Sequence, residues 1–190
     1  MKKITIALIM VISLIAPIQT MAESVTQNGT IIEPLEQNIE QIIDEITSEP
    51  RPINSDAIQN VKEYISKYFG NLGYDNIEYQ KFEYNDENNE NAIRHSSQAD
   101  VFLASTAESA IVDGIGENII VTKNSSIDTT KNLIISAHYD SAEDSVGAND
   151  NGSGVAAVLE LARILKDTEI PYNIKFILFS GEEKYMLGSR

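Results

Sequence analysis

The sequence predicts a three-layer α/β domain on a mostly parallel mixed sheet. Residues 132–137 and 174–179 are continuous apolar runs of strand length, and residues 155–165 between them repeat apolar side chains at helical spacing. Alternation of strand, helix and strand implies parallel neighbours with helices packed on the sheet faces. A chain of 190 residues with 42% hydrophobic content has the material for one ordinary domain with a genuine core.

Before that unit the pattern is read in chain order. Lys2 and Lys3 precede an uncharged apolar run over 4–16, too short to span a bilayer well, with a small-residue cleavage site at Thr20-Met21-Ala22. Residues 1–22 therefore read as an export signal, with the mature chain starting near Glu23 and secreted, free of the membrane once cleaved. A buried core helix ending at Pro17 is the rival reading of the same run. Export permits disulfides, but the chain has no cysteine, so packing and bound metal are left to stabilise it.

Residues 23–49 form a polar leader followed by an amphipathic helix, in which Leu35, Ile39, Ile42, Ile43 and Ile46 share a face that ends before Pro50. Asn54 or Ser55 is placed to cap a second helix, with Ile58, Val61, Ile65, Tyr68 and Phe69 inward and Gly70 and Gly73 closing it. Strands are predicted over 77–84, 100–104 and 117–122, and the polar run 85–91 is a solvated loop.

A formal charge of −15, which becomes −17 once Lys2 and Lys3 leave with the signal, repels phosphate backbones and anionic lipid. Nucleic acid is excluded as a partner on that ground.

Chemistry concentrates after residue 137. Ligands in parallel α/β sheets collect beyond the carboxyl ends of the strands. There the sequence puts His138-Tyr139-Asp140, then the loop Gly147-Ala148-Asn149-Asp150-Asn151-Gly152-Ser153-Gly154, then Ser180-Gly181-Glu182-Glu183. An imidazole with several carboxylates is a donor set that zinc accepts. Asp140, two residues from His138, suits a carboxylate that orients the imidazole. Asp150 sits in a glycine-flanked turn that lets its carboxylate face outward between two cations, and paired cations would offset the crowding of acids. Of the two glutamates, one can bind metal while the other serves as a base.

Each feature has a plainer reading. His138 and Asp140 alone could be a strand-end hydrogen bond, the glycine loop a turn with Ser153 as helix cap, and the glutamates a solvated helix start. A phosphate cradle is disfavoured because no lysine follows the glycines. His95, the other histidine, reads as a surface residue, and Tyr139 and Tyr185 as packing or rim residues.

Taken together, Ser136-Ala137-His138-Tyr139-Asp140-Ser141, the loop 147–154, and Phe179-Ser180-Gly181-Glu182-Glu183 with Leu187-Gly188-Ser189 resemble metallopeptidase family twenty-eight, which includes aminopeptidase Y and glutamate carboxypeptidase. A weaker likeness through Arg51, 55–69 and Gly73-Tyr74 extends it over 50–190, the expected N-terminal part of a peptidase domain. The resemblance implies the zinc exopeptidase fold, with His138 on one zinc, Asp150 bridging two, Glu183 on the second, and Glu182 as catalytic base and acid with Asp140 in support. It also implies a cis bond at Asp150-Asn151.

Family members supply one more carboxylate and one more histidine from later segments. Each zinc is thus expected to be a ligand short in this chain, the strand at 174–179 to be an uncovered edge, and the isolated chain to be inactive. The implied activity is release of N-terminal residues from peptides with a free amino end. Alternatives are a glutaminyl cyclase or carboxypeptidase on the same scaffold, or a non-catalytic remnant or split half that binds a complementing C-terminal fragment.

Overall fold

The computed structural model describes residues 34–84 and 114–190. The export signal, most of the leader, the loop 85–91, His95 and the predicted strand 100–104 lie outside the described residues.

Helix α1 spans Glu36–Ile46 and buries Ile42 and Ile46. It stops where the Thr47 amide donates to Ile43 O, ahead of Pro50. Helix α2 spans Asp56–Asn71, and its N-cap is Ser55, whose Oγ accepts from the Ile58 amide at 3.1 Å. Gly70 stays inside the helix; Gly73, at φ +80°, is the residue that turns the chain out. A left-handed backbone costs glycine least, so Gly73 ends the helix while Gly70 need not.

Four strands follow: β1 (Ile77–Tyr84), β2 (Gly114–Lys123), β3 (Asn132–His138) and, after helix α3 (Ser153–Leu165), β4 (Asn173–Phe179). The sheet order is β1-β2-β4-β3. β3 and β4 run parallel, as the crossover through α3 requires. β1 with β2 and β2 with β4 run antiparallel, so the sheet is mixed and, among the described strands, parallel only at one pairing.

This order corrects the expectation that 174–179 is an uncovered edge. β4 is hydrogen-bonded on both sides, and among the described strands β1 and β3 are the edges. The strand predicted at 117–122 inserts antiparallel beside β4, a long-range pairing that no local pattern in β4 announces.

On one face of the sheet Ile119, Val121, Ile174, Phe176 and Leu178 pack against Ile42 and Ile46 of α1, Ile58, Val61, Ile65 and Phe69 of α2, and Val155, Ala156, Val158, Leu159 and Ala162 of α3. Phe69, Tyr74 and Phe176 form the aromatic centre, with ring centroids 5.6 to 5.8 Å apart. The opposite face, with Lys175, Ile177 and Phe179, is half-buried. The described residues therefore build two of the three expected layers, because the one crossover they contain carries its helix to a single face. Among them no helix is long and apolar enough to cross a membrane.

Candidate metal centre

The carboxyl ends of β3 and β4 are adjacent, His138 pairing with Phe179 in register, and the Tyr139 amide extends the ladder to Phe179 O at 2.9 Å. Three loops leave from this edge. The first begins at His138, the second is the turn Ala148–Gly152 before α3, and the third follows β4. The sequence pattern placed every candidate residue on one of them.

The third loop is fixed at its root by Asn118 of β2, a fully buried side chain whose Oδ1 accepts from the Ser180 amide at 3.0 Å. Gly181 follows at φ +73°, where an added Cβ would lie 2.7 Å from the Ile53 side chain. The loop is next pinned by Asp140, whose Oδ1 accepts from the Glu182 amide at 3.2 Å and whose Oδ2 accepts from the Glu183 amide at 3.1 Å. Both glutamates are thereby aimed at the β3 end.

The second loop presents Asp150 from a backbone that is not helical at Asp150 or Asn151, and the Asp150–Asn151 peptide bond is cis, as the family resemblance implies. The cap of α3 is not Ser153, whose hydroxyl donates back to Asn149 O. It is Asn151, whose Oδ1 accepts from the Gly154 amide at 3.0 Å. A Cβ at Gly154 would stand 2.1 Å from that oxygen, so a larger residue there would displace the Asn151 side chain.

These loops converge on His138. Its Nε2 lies 3.0 Å from Asp150 Oδ1 and 3.8 Å from Glu182 Oε2. One donor atom each from His138, Glu182 and Glu183 also fall within 4.8 Å of one another. His138 Nδ1 lies 3.4 Å from Asp140 Oδ1 but is not aligned for a hydrogen bond, and it is a buried polar atom without a partner. The contact is one of opposite charges when the imidazole is protonated.

Burial of the His138 ring depresses its pKa, but Asp140, Glu182 and Asp150 outweigh that and push it up to about 9. Glu183 is raised, first by burial and then by the charge of Asp150. The site is thus short of positive charge. Nε2 faces two carboxylates, Nδ1 faces a third, and the acids sit at the open edge, with the Asp150 side chain 76% exposed. A divalent cation at Nε2 would replace the imidazolium proton, satisfy Asp150 and the glutamates, and leave Nδ1 to donate to Asp140. The donor set fits zinc.

The structure brings together all five predicted site residues, His138, Asp140, Asp150, Glu182 and Glu183. Sequence reading missed Asn118, Asn151 and the part played by Arg51 and Ser141. The one signal for them was a polar residue in or beside an apolar run, as in Glu117-Asn118-Ile119-Ile120. Tyr139 is buried, with its hydroxyl donating to Glu117 O at 2.7 Å, and Tyr185 lies partly exposed.

Fold and site together define an α/β protein with an imidazole and carboxylate cluster, a donor set that could hold a cation, at the carboxyl edge of its sheet. Residues 118–190 match the model of Peptidase family M28. Aminopeptidase YwaD of Bacillus subtilis (strain 168) is 43% identical over 81 residues, 42% of this chain and 18% of that protein. A vacuolar membrane protease of Schizosaccharomyces japonicus is 31% identical over 78% of this chain and 16% of its own length. The chain thus spans less than a fifth of these curated relatives.

Among solved structures, the fold matches BSAP, a zinc aminopeptidase from Bacillus subtilis, at a TM-score of 0.63 and 17% identity, covering 81% of this chain and 63% of that one. An aminopeptidase from Aneurinibacillus sp. strain AM-1 matches at 0.64 and 18%, covering 82% and 65%. A glutaminyl cyclase from Fimbriiglobus ruber shares the same scaffold at 0.59 and 19%, covering 82% and 48%.

Proposed function

We propose that the protein is a zinc-dependent exopeptidase that releases residues from the free amino ends of peptides, with two zinc ions in its complete site. The observation that carries this is the meeting of His138 Nε2 with Asp150 at 3.0 Å and with the Glu182 and Glu183 pair at the sheet's carboxyl edge. In this reading His138, Asp150 and Glu183 would hold the zinc. Two ions would ask for more donors than these.

When bound, zinc acts as a Lewis acid that polarises the scissile carbonyl and makes water acidic enough to attack near neutral pH. Glu182 is the base that takes the proton from the attacking water and returns it to the departing amine; its side chain is 41% exposed and so open to substrate. Asp140 holds the Glu182 and Glu183 amides and the His138 ring in one frame. The open acidic edge attracts the ammonium of a free amino end, which supports an aminopeptidase over other cuts.

The test uses the full protein loaded with zinc and compares amino-acid p-nitroanilides with their N-acetylated forms. Only the free-amino substrates are expected to be cleaved. Glu182→Gln is expected to keep its zinc and lose about 10³-fold or more in kcat, since it removes the base. Equal cleavage of acetylated substrates, or a Glu182→Gln enzyme as fast as the parent, would sink the reading. Cyclisation of a glutaminyl peptide in its place would move the protein to the cyclase class.

We further propose that residues 1–22 direct export and are removed, leaving a secreted protein. Sequencing the amino terminus of protein recovered from the medium is expected to start near Glu23; an intact Met1 on cell-retained protein would refute this.

A further inference from the structure

Arg51 is fully buried beneath the acidic edge, yet its side chain donates to main-chain carbonyls of three residues. Its Nε donates to Tyr139 O at 2.7 Å, Nη2 donates to Gly147 O at 3.1 Å, and Nη1 donates to Val146 O. Its backbone is tied to the same loop, the Arg51 amide donating to Ser141 Oγ at 3.0 Å and the Ser141 amide to Arg51 O at 3.3 Å.

The acceptors are placed on both sides of the site. Tyr139 stands between His138 and Asp140, whereas Val146 and Gly147 lead into the turn that carries Asp150. Gly147 O accepts a second hydrogen bond, from the Gly152 amide at 2.9 Å, and that bond closes the turn. The guanidinium therefore joins the root of the His138 loop to the closing bond of the Asp150 turn.

The glycines leave room for it. A Cβ on Gly147 would stand 3.3 Å from Arg51 Nη2 and 2.5 Å from Asp150 O, and a Cβ on Gly152 would stand 3.0 Å from Gly147 O. A planar fork with donors in fixed directions can hold three carbonyls of two segments at once, and an ammonium on a flexible stem cannot reproduce that spacing. Burying a full charge to bind only main chain is costly. Ordering two segments that each carry a cation donor is a return commensurate with it.

We propose that Arg51 is a positioning residue that sets the separation of His138 from Asp150 and so preorganises the metal centre before a cation arrives. The inference rests on the zinc reading above.

Its test is metal binding by the full protein. Metal-free parent, Arg51→Lys and a control, Glu160→Gln, are titrated with zinc against a chromophoric chelator and with cobalt by visible absorption. Glu160 is a buried residue on α3 that binds the α1 terminus, outside the metal machinery. Arg51→Lys is expected to weaken zinc by about 10–100-fold, the usual effect of losing a group that orients ligands, and to alter the cobalt spectrum. Glu160→Gln is expected to lose thermal stability and bind zinc as the parent does.

An Arg51→Lys protein within twofold of the parent and with the parent's cobalt spectrum would overturn the inference. So would an equal loss of affinity in both variants in step with their stability. A parent that takes up neither metal removes the zinc reading and this inference with it, whereas a binding parent with an unaffected lysine variant removes this inference alone. If Arg51→Lys does not fold, amide exchange in the metal-free parent decides. The Gly152 amide is expected to be protected before zinc is added, and free exchange there until loading would overturn the proposal.

Discussion

Asp140 serves three groups with one carboxylate. It lies 3.4 Å from His138 Nδ1 and accepts the amides of both Glu182 and Glu183. Asp140→Asn keeps the shape but turns one acceptor oxygen into a donor that faces a donor. The variant is expected to lose about 1–3 kcal/mol of stability by denaturant titration, and about 10–100-fold in zinc affinity by chelator competition. The nearness of Asp140 to the imidazole was legible from a spacing of two residues. Its grip on residues more than forty positions away was not, because that contact exists only once β3 and β4 lie side by side.

At the scale of elements, periodicity located the helices and strands well. An amphipathic segment advertises which of its faces meets water, and that is a local property. Neighbour identity is not local, and the edge strand was accordingly misplaced: among the described strands β4 is central, and the edge strand β3 carries Leu133 at 43% and Ile134 at 58% exposure. Ile134→Lys is expected to lower self-association, read by light scattering, while changing the unfolding free energy by no more than about 0.5 kcal/mol. Unchanged scattering would show that this strand does not drive association.

Helix α1 is docked by one buried acid. Glu160 accepts from the Leu35 amide at 2.8 Å, from Asn38 Nδ2 at 2.7 Å and from Arg163 at 2.7 and 3.0 Å. Burial opposes its ionisation, but these donors outweigh it and hold its pKa down at about 2. A depressed carboxylate stabilises above its unfolded pKa, so this contribution is expected to fade as the pH falls from about 4.5 toward 2. Acid titration of the parent against Glu160→Gln measures it, the variant being expected to lack that part of the transition.

For the whole molecule, the raised groups of the metal centre act in the opposite sense. His138 rises from its ordinary 6.5 to about 9, so the stability it gives the metal-free protein is complete below 6.5 and is lost as the pH climbs through 9. Glu183, also raised, contributes with the same sign at lower pH. Metal-free protein is therefore expected to melt at progressively lower temperature between pH 6.5 and 9, a trend absent from His138→Gln. Zinc should counter it, because zinc and the imidazole proton compete and the metal gains as the proton leaves. A metal-free melting temperature that rises over this range would contradict the charge arrangement at the site.

The sequence by itself determined the class of the domain, the places of its described helices and strands to within a few residues, and the five side chains that gather at one edge, because apolar spacing and donor chemistry are properties of neighbouring residues. Only the tertiary structure decided the order β1-β2-β4-β3, the reach of Asp140 to both glutamate amides, and the place of Arg51 under the Asp150 turn. Those depend on which distant segments pack together, and a hydrogen bond between segments ninety residues apart leaves no periodic trace in either one.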